Sequence, residues 1–301
     1  EAMSIILQTV VEVALASLYI FVIFIIARTK ISEKAFFTMF MATGFADLIA
    51  LSSNILLRLN RELNLGQEFQ HVVLKLATAS SMGFVAHMLG NMLITINRIT
   101  AICFMQDHAK IWSRRNVRIA IGIQYVASFA ACSYLLTTRL EYIQNSDGTT
   151  KFKGFQRHID MLIRSTFVGT CALYATVSVV LNARLLFVWH RISKMSEYSR
   201  YSRSEKSLLM YTAFVFVFTM MMCSQQFTVG IAAVANNNDL YLWASKQFFW
   251  INDVMVSIPP FFVLLFCSEL RKAAFNIFRR KKPPSVTVNF IVTALHKRSM
   301  S

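Results

Sequence analysis

Six residues of one apolar run share a helical face: Ser80, Phe84, His87, Asn91, Ile94 and Arg98, spaced four, three, four, three and four. From Leu76 to Asn97 the run has 22 residues and no Asp, Glu, Lys or Arg. A hydroxyl, a ring, an imidazole and an amide thus lead down to a guanidinium. Such a stripe can bind a ligand, hold a shared proton or keep a charged latch. It can equally be a seam that hydrogen-bonds neighbouring helices, with Arg98 snorkelling to a polar boundary. Two carboxylates, Asp47 and Asp253, stand in other apolar runs. In a low-dielectric medium each is protonated or paired. The partners expected for Asp47 are Asn91, His87, and Asn252 or Asp253. Asp47, His87, Asn91 and Asp253 therefore form a candidate polar cluster, either a structural core or a switch or cation site.

The runs around these residues set the fold class. The chain of 301 residues is 55% hydrophobic and only 15% charged, against about 25% charged in soluble domains. Ile119–Thr138, Ser165–Ala183 and Ser207–Asn238 carry no charge. Ile5–Ala27 is broken only by Glu12, Ala35–Leu57 only by Asp47, and Gln247–Ser268 only by Asp253. A bilayer core takes roughly 20 helical residues, and only helices or closed barrels satisfy their backbone in lipid. The runs lack the alternation of barrel strands. The expected fold is an all-α membrane protein, a seven-transmembrane helix bundle. Its spans fall at about 5–27, 35–57, 74–104, 118–138, 163–188, 207–234 and 245–267. An amphipathic inner-leaflet helix over 268–280 completes a receptor-sized domain, 1–282. There Ser268 caps, Leu270, Ala274, Ile277 and Phe278 share a face, and Arg279–Lys282 meet anionic lipid. Residues 283–301 read as a cytoplasmic tail.

Charge sets the orientation. Net charge is +16, which in a soluble protein would point to nucleic acid. Here nine of the 31 cations fall on one side, Arg58, Arg157 and Arg164 among them, and the other 22 on the opposite side. The positive-inside rule puts the N-terminus outside and the C-terminus inside. The basic balance thus serves topology and membrane lipid, and nucleic acid is not an expected partner. The first span should act as its own insertion signal. Asp147–Gly148 in the longest outer connection predicts a hairpin lying over the bundle.

At about 1.5 Å per residue, Gln225 and Gln226 lie about 27 Å along their helix from Ser207, level with Ser80 and Ser81. With Phe84, Phe249 and Asn252 they form a candidate ligand pocket, apolar with a few polar groups. Helix-packing amides and lipid-facing rings are the alternative. Pro259 and Pro260 remove two helix donors, forcing a local break that is a candidate hinge. The five cysteines all lie in or beside apolar runs, with no disulfide framework or metal spacing. No Gly-x-Ser-x-Gly, His/Glu metal motif or paired intramembrane Asp motif occurs, so no enzyme, cofactor or metal is expected.

Ala46-Asp47-Leu48, Asn97-Arg98, Pro259-Pro260-Phe261-Phe262 and the helix after them stand in an order and spacing that resemble a rhodopsin-like G-protein-coupled receptor. "FFTMFMATGFADLIAL", "NRITAICF…W" and "IPPFFVLLFCSELR" more specifically resemble the nematode serpentine chemoreceptors of the gamma-type superfamily, near classes V and gamma. The resemblance implies a small-molecule ligand, a heterotrimeric G protein as partner, and a plasma-membrane, possible ciliary, location. It also implies that Asn97 and Arg98 form the G-protein-facing switch. The chain departs from the wider family in lacking an Asn in the first span, Pro in the fifth and sixth, and an acidic neighbour for Arg98. Ser80 and Ser81 stand where aminergic receptors carry a carboxylate, and Asn252 where opsins carry a Lys. The ligand implied is therefore a small, weakly polar odorant or pheromone-like molecule. A peptide ligand is one alternative, and a transporter or channel using Asp47 and Asp253 another. Asn97 cannot supply an anion, so the hold on Arg98 must be weaker than an ion pair or come from another helix.

Overall fold

A computed structural model describes residues 2–63, 67–144, 150–193 and 203–278. Its helices are α1 (Ala2–Ala27), α2 (Ala35–Leu63), α3 (Gln70–Cys103), α4 (His108–Ile111), α5 (Arg114–Cys132), α6 (Arg157–Ser193), α7 (Arg203–Val234), α8 (Asn238–Phe266) and α9 (Ser268–Phe278). Seven of them, all but α4 and α9, are long and apolar enough to cross a membrane, α5 together with the 3-10 turn that follows it. A hairpin of β1 (Leu140–Gln144) and β2 (Thr150–Phe155) sits between α5 and α6. Its strands pair antiparallel, from Leu140 opposite Phe155 to Gln144 opposite Thr150. The Asp147–Gly148 turn that predicts it lies outside the described residues. Leu140 packs with Val73 and Leu74 of α3, and Leu57, Tyr142 and Phe155 close around them. The hairpin thus covers the C-terminal end of α2 and the N-terminal end of α3.

The bundle buries polar side chains within a larger apolar core and exposes apolar ones on its outside. Asp47, His87, Asn91, Asn97, Gln124 and Asp253 are buried, while Ile20, Ile49, Ile123, Val180 and Phe187 are exposed. That inversion fits lipid as the solvent: apolar side chains meet it without cost, and polar ones turn inward. The spans are tight where glycine allows it. A Cβ on Gly83 would lie 2.5 Å from the Ala50 Cβ and 2.9 Å from the Ala46 carbonyl, and one on Gly90 would overlap the Thr43 hydroxyl. These two glycines bring α3 against α2 along its length. The α5 helix is peripheral, tied inward by Gln124 Nε2 to the Ala86 carbonyl (2.8 Å) and by the Tyr125 hydroxyl to the Ala42 carbonyl (2.6 Å).

At the inner end Phe214 of α7 stacks on Phe262 of α8 at 4.6 Å, and Phe262 on Phe266 at 5.3 Å. Pro259 and Pro260 lie inside α8, so the Met255 and Val256 carbonyls lose their usual helix donors. After α8, α9 buries Leu270 and exposes Arg271, Lys272 and Phe275. Arg271 Nη1 donates back to the Leu264 and Leu265 carbonyls, and Lys34 of the first inner connection meets Glu269 at 2.6 Å. The side chains of Ile277 and Phe278, and all of Arg279–Lys282, lie outside the described residues.

Gly83→Val should therefore destabilise the bundle by about 1–3 kcal/mol, since the Ala46 backbone cannot yield. Gly122→Ala, whose added methyl meets nothing within 4 Å, should be neutral or stabilising by up to roughly 1 kcal/mol. Thermal unfolding of purified variants in one detergent compares them.

Candidate functional site

The innermost polar chain begins at Tyr19 on α1. Its hydroxyl donates to Asp47 Oδ2 at 2.6 Å. Asp47 Oδ1 lies 2.7 Å from His87 Nδ1, and Asn91 Nδ2 lies 2.7 Å from His87 Nε2. All four side chains are buried. With the Asn91 amide in this orientation, Nε2 accepts from its NH2 and Nδ1 carries the proton toward Asp47. Each oxygen of Asp47 thus receives one hydrogen bond, which offsets much of the desolvation of a buried carboxyl. The helical spacing of His87 and Asn91 sets their order along α3. Gly44, whose absent Cβ would fall 2.5 Å from the Tyr19 ring, lets that ring cross α2.

Asp253 does not join this chain. It accepts from Gln8 Nε2 at 3.3 Å and lies against Glu12. Glu12 in turn receives Arg58 Nη1 at 2.9 Å and Nη2 at 2.5 Å, and Thr9 receives Arg58 Nη2 at 2.8 Å. Arg58 and Glu12 are both almost fully buried. Arg58, expected from the sequence as an outer boundary cation, is therefore an interior partner: a carboxylate in α1 and a guanidinium in α2 are cheaper together than apart. The four-residue cluster read from the sequence divides into Asp47–His87–Asn91 and a second network of Gln8, Glu12, Arg58 and Asp253.

Near the C-terminal end of α3 Arg98 is buried, 6% exposed. Its Nη2 donates to Asn97 Oδ1 at 2.6 Å, and its guanidinium lies over the Phe36 ring of α2, 4.8 Å from the centroid. Asn97 Nδ2 reaches His108 Nε2 at 3.3 Å, and Trp112 Nε1 donates to Thr100 Oγ1 at 2.6 Å. Phe36 stands edge-on to Tyr211 of α7 at 5.5 Å, and Phe40 also meets Tyr211 at 6.2 Å. Aromatic contact therefore runs from Arg98 through α2 to α7. The Tyr211 hydroxyl is buried without a hydrogen-bond partner among the described residues.

The seven candidate ligand residues lie apart from the outer cavities. Ser80 donates to Asn54 Oδ1 at 2.5 Å, Ser81 is buried, and Phe84 packs on Phe167 with 4.5 Å between centroids. Gln225 donates to the Ala244 carbonyl at 2.9 Å, and Gln226 to Gln225 Oε1 at 2.8 Å. Asn252 is buried, and its Nδ2 has no partner among the described residues. The Phe249 side chain lies outside the described ones. Two cavities of about 400 and 520 Å³ open between α6 and α7 near the Asn236 turn, and neither is walled by the six candidates whose side chains are described.

Sequence reasoning missed Tyr19, Phe36 and Tyr211, because a Tyr or Phe in an apolar run carries no signal of its own. It also missed the Glu12–Arg58 pair, for which a signal existed: two opposite charges in adjacent spans, both toward the outer side. Removing one partner strands the other. Glu12→Ala should cost about 3–5 kcal/mol, and Glu12→Ala with Arg58→Ala less than the sum of the two single changes. A double-mutant cycle on thermal unfolding checks it; additive losses would show that the pair is not coupled.

The arrangement has counterparts in sequence. The family model for serpentine type 7TM GPCR chemoreceptors, Srv, matches residues 8–280. A search of the curated proteins found no match. The matched stretch runs from α1 through α9 and takes in both buried networks and the Arg98 region, so the chain belongs to the Srv family of serpentine seven-transmembrane chemoreceptors.

Proposed function

We propose that the protein binds a small, weakly polar extracellular ligand within the helix bundle and passes the signal to a heterotrimeric G protein at its inner face. In this reading it sits in the plasma membrane, in sensory cilia by resemblance, with its N-terminus outside and α9 along the inner leaflet. The observation that carries the reading is the hold on Arg98. A buried guanidinium at the inner foot of α3 rests on Phe36, and Phe36 rests on Tyr211 of α7. A cation–π contact is worth about 0.5–2 kcal/mol, and because Phe36 rests on Tyr211, a shift of α7 weakens this part of the hold on Arg98.

On the ligand side, Asn252 Nδ2 and Ser245 Oγ are buried donors without partners among the described residues. They lie seven residues apart, on one face of α8. Buried polar atoms left open in this way are normally satisfied by water or a ligand. We place the ligand's polar group there, with Phe84, Ser81, Gln225 and Gln226 as the surrounding wall. Ligand binding would then act on α7 and α8 together, with Pro259–Pro260 as the hinge and the Asn97–Arg98 region as the mouth that opens. Transport by an Asp47–Asp253 pair is disfavoured, because the two carboxyls belong to different networks.

Phe36→Leu keeps an apolar filler and removes the ring face. Basal nucleotide exchange by the G protein should rise about two- to tenfold, at unchanged surface expression. Arg98→Ala should abolish ligand-stimulated exchange. Unaltered exchange in both variants would sink this role for the Phe36–Arg98 contact.

A further inference from the structure

The two outer cavities share the walls Met161, Arg164 and Ala233, but their chemistry differs. The first, about 400 Å³, is polar. Asp160 receives Arg164 Nε at 2.8 Å, Arg164 Nη2 at 3.1 Å and the Tyr241 hydroxyl at 3.1 Å. The Arg164 guanidinium also lies over the Tyr241 ring, 4.3 Å from its centroid. One carboxylate is thereby matched by one guanidinium and fixed in place. Arg157 stands on the same face of α6, one turn further out, lines the same cavity, and forms no ion pair among the described residues. Among the described residues the cavity therefore carries one positive charge in excess.

The second cavity, about 520 Å³, is apolar. Val168 lines it from α6, and Phe227, Ile231 and Val234 from α7. Gly230 forms its floor: an added Cβ there would sit 3.0 Å from Val168 Cγ2. From Arg157 to Val168 the α6 axis rises about 16 Å. Both volumes fall within the usual range for ligand sites, about 300–1,000 Å³.

We propose that this cleft is a second ligand site, which takes a free single-chain amphiphile with an anionic head, such as a medium-chain aliphatic carboxylate. The head sits beside Arg157, and the chain lies past Met161 along Val168, Phe227 and Ile231. A neutral chain would leave the Arg157 charge unmatched, and a short anion would leave the apolar half empty. The site lies outside the bundle interior, shares no residue with the ligand wall proposed around Asn252 and Ser245, and stands independently of coupling through Arg98.

The test is direct binding to the full chain in nanodiscs of zwitterionic lipid, with empty discs subtracted. Displacement of a fluorescent dodecanoate is read with dodecanoate, dodecanol and butyrate as competitors. Dodecanoate should compete best, with dodecanol and butyrate each weaker by about tenfold or more. Arg157→Gln should weaken dodecanoate about fivefold and leave dodecanol unchanged, while Arg157→Lys should retain most of the affinity. Ser165→Phe, which fills the apolar half, should weaken dodecanoate and dodecanol alike. Equal binding of dodecanoate and dodecanol, or no effect of either substitution, overturns the proposal. So does full displacement by an anionic phospholipid doped into the discs, which would make the cleft a headgroup site. Basal exchange by Phe36→Leu in the same discs reads the receptor mechanism separately, so loss of dodecanoate binding with that response intact counts against the cleft alone.

Discussion

A carboxyl group inside a bilayer has no solvent to turn to, so every oxygen must be matched by a side chain from a neighbouring helix. Asp47 shows what this requires. Its two oxygens are taken by Tyr19 from α1 and His87 from α3, and His87 is held in turn by Asn91. Those bonds form only if three helices approach within hydrogen-bonding reach at one depth. Gly44, Gly83 and Gly90 allow it by removing the side chains that would hold α1, α2 and α3 apart. Small residues and buried polar groups are thus two halves of one device, the first allowing the approach that the second needs.

The same accounting explains the outer network. Glu12 and Arg58 satisfy each other almost completely, while Asp253 brings α8 to the same place through Gln8 and Glu12. Together the two networks bind α1, α2, α3 and α8 into one unit. By contrast, α6 and α7 meet the rest mainly through rings and apolar side chains, Phe84 on Phe167 and Tyr211 on Phe36 and Phe40. Apolar contacts slide more easily than matched charges. The half of the bundle carrying Tyr211 is therefore the half suited to move, and Arg98 is placed where the two halves meet.

Arg98 also shows how a departure from an acidic-Arg pair is accommodated. Asn97 supplies a hydrogen-bond acceptor but no charge, and the face of Phe36 adds a cation–π contact. Because Phe36 belongs to an aromatic cluster that includes Tyr211, that part of the hold on the guanidinium depends on the position of α7.

The sequence by itself determined the seven-span architecture, since runs of bilayer length with at most one charge and no alternation fit membrane helices and neither a soluble fold nor a barrel. It placed the stripe from Ser80 to Arg98, because helical period alone assigns residues to a face. It also predicted the β1–β2 hairpin from a turn signal. Which residues across the bundle meet was decided only by the tertiary structure. Asp47 chose Tyr19 over Asp253, Asp253 chose Gln8 and Glu12, and Arg98 found Phe36. Spacing along one helix fixes direction around that helix, but not the rotation or depth of its neighbours. Those follow from where glycines permit contact and where buried charges demand it, and both are properties of pairs of helices that no single run of sequence contains.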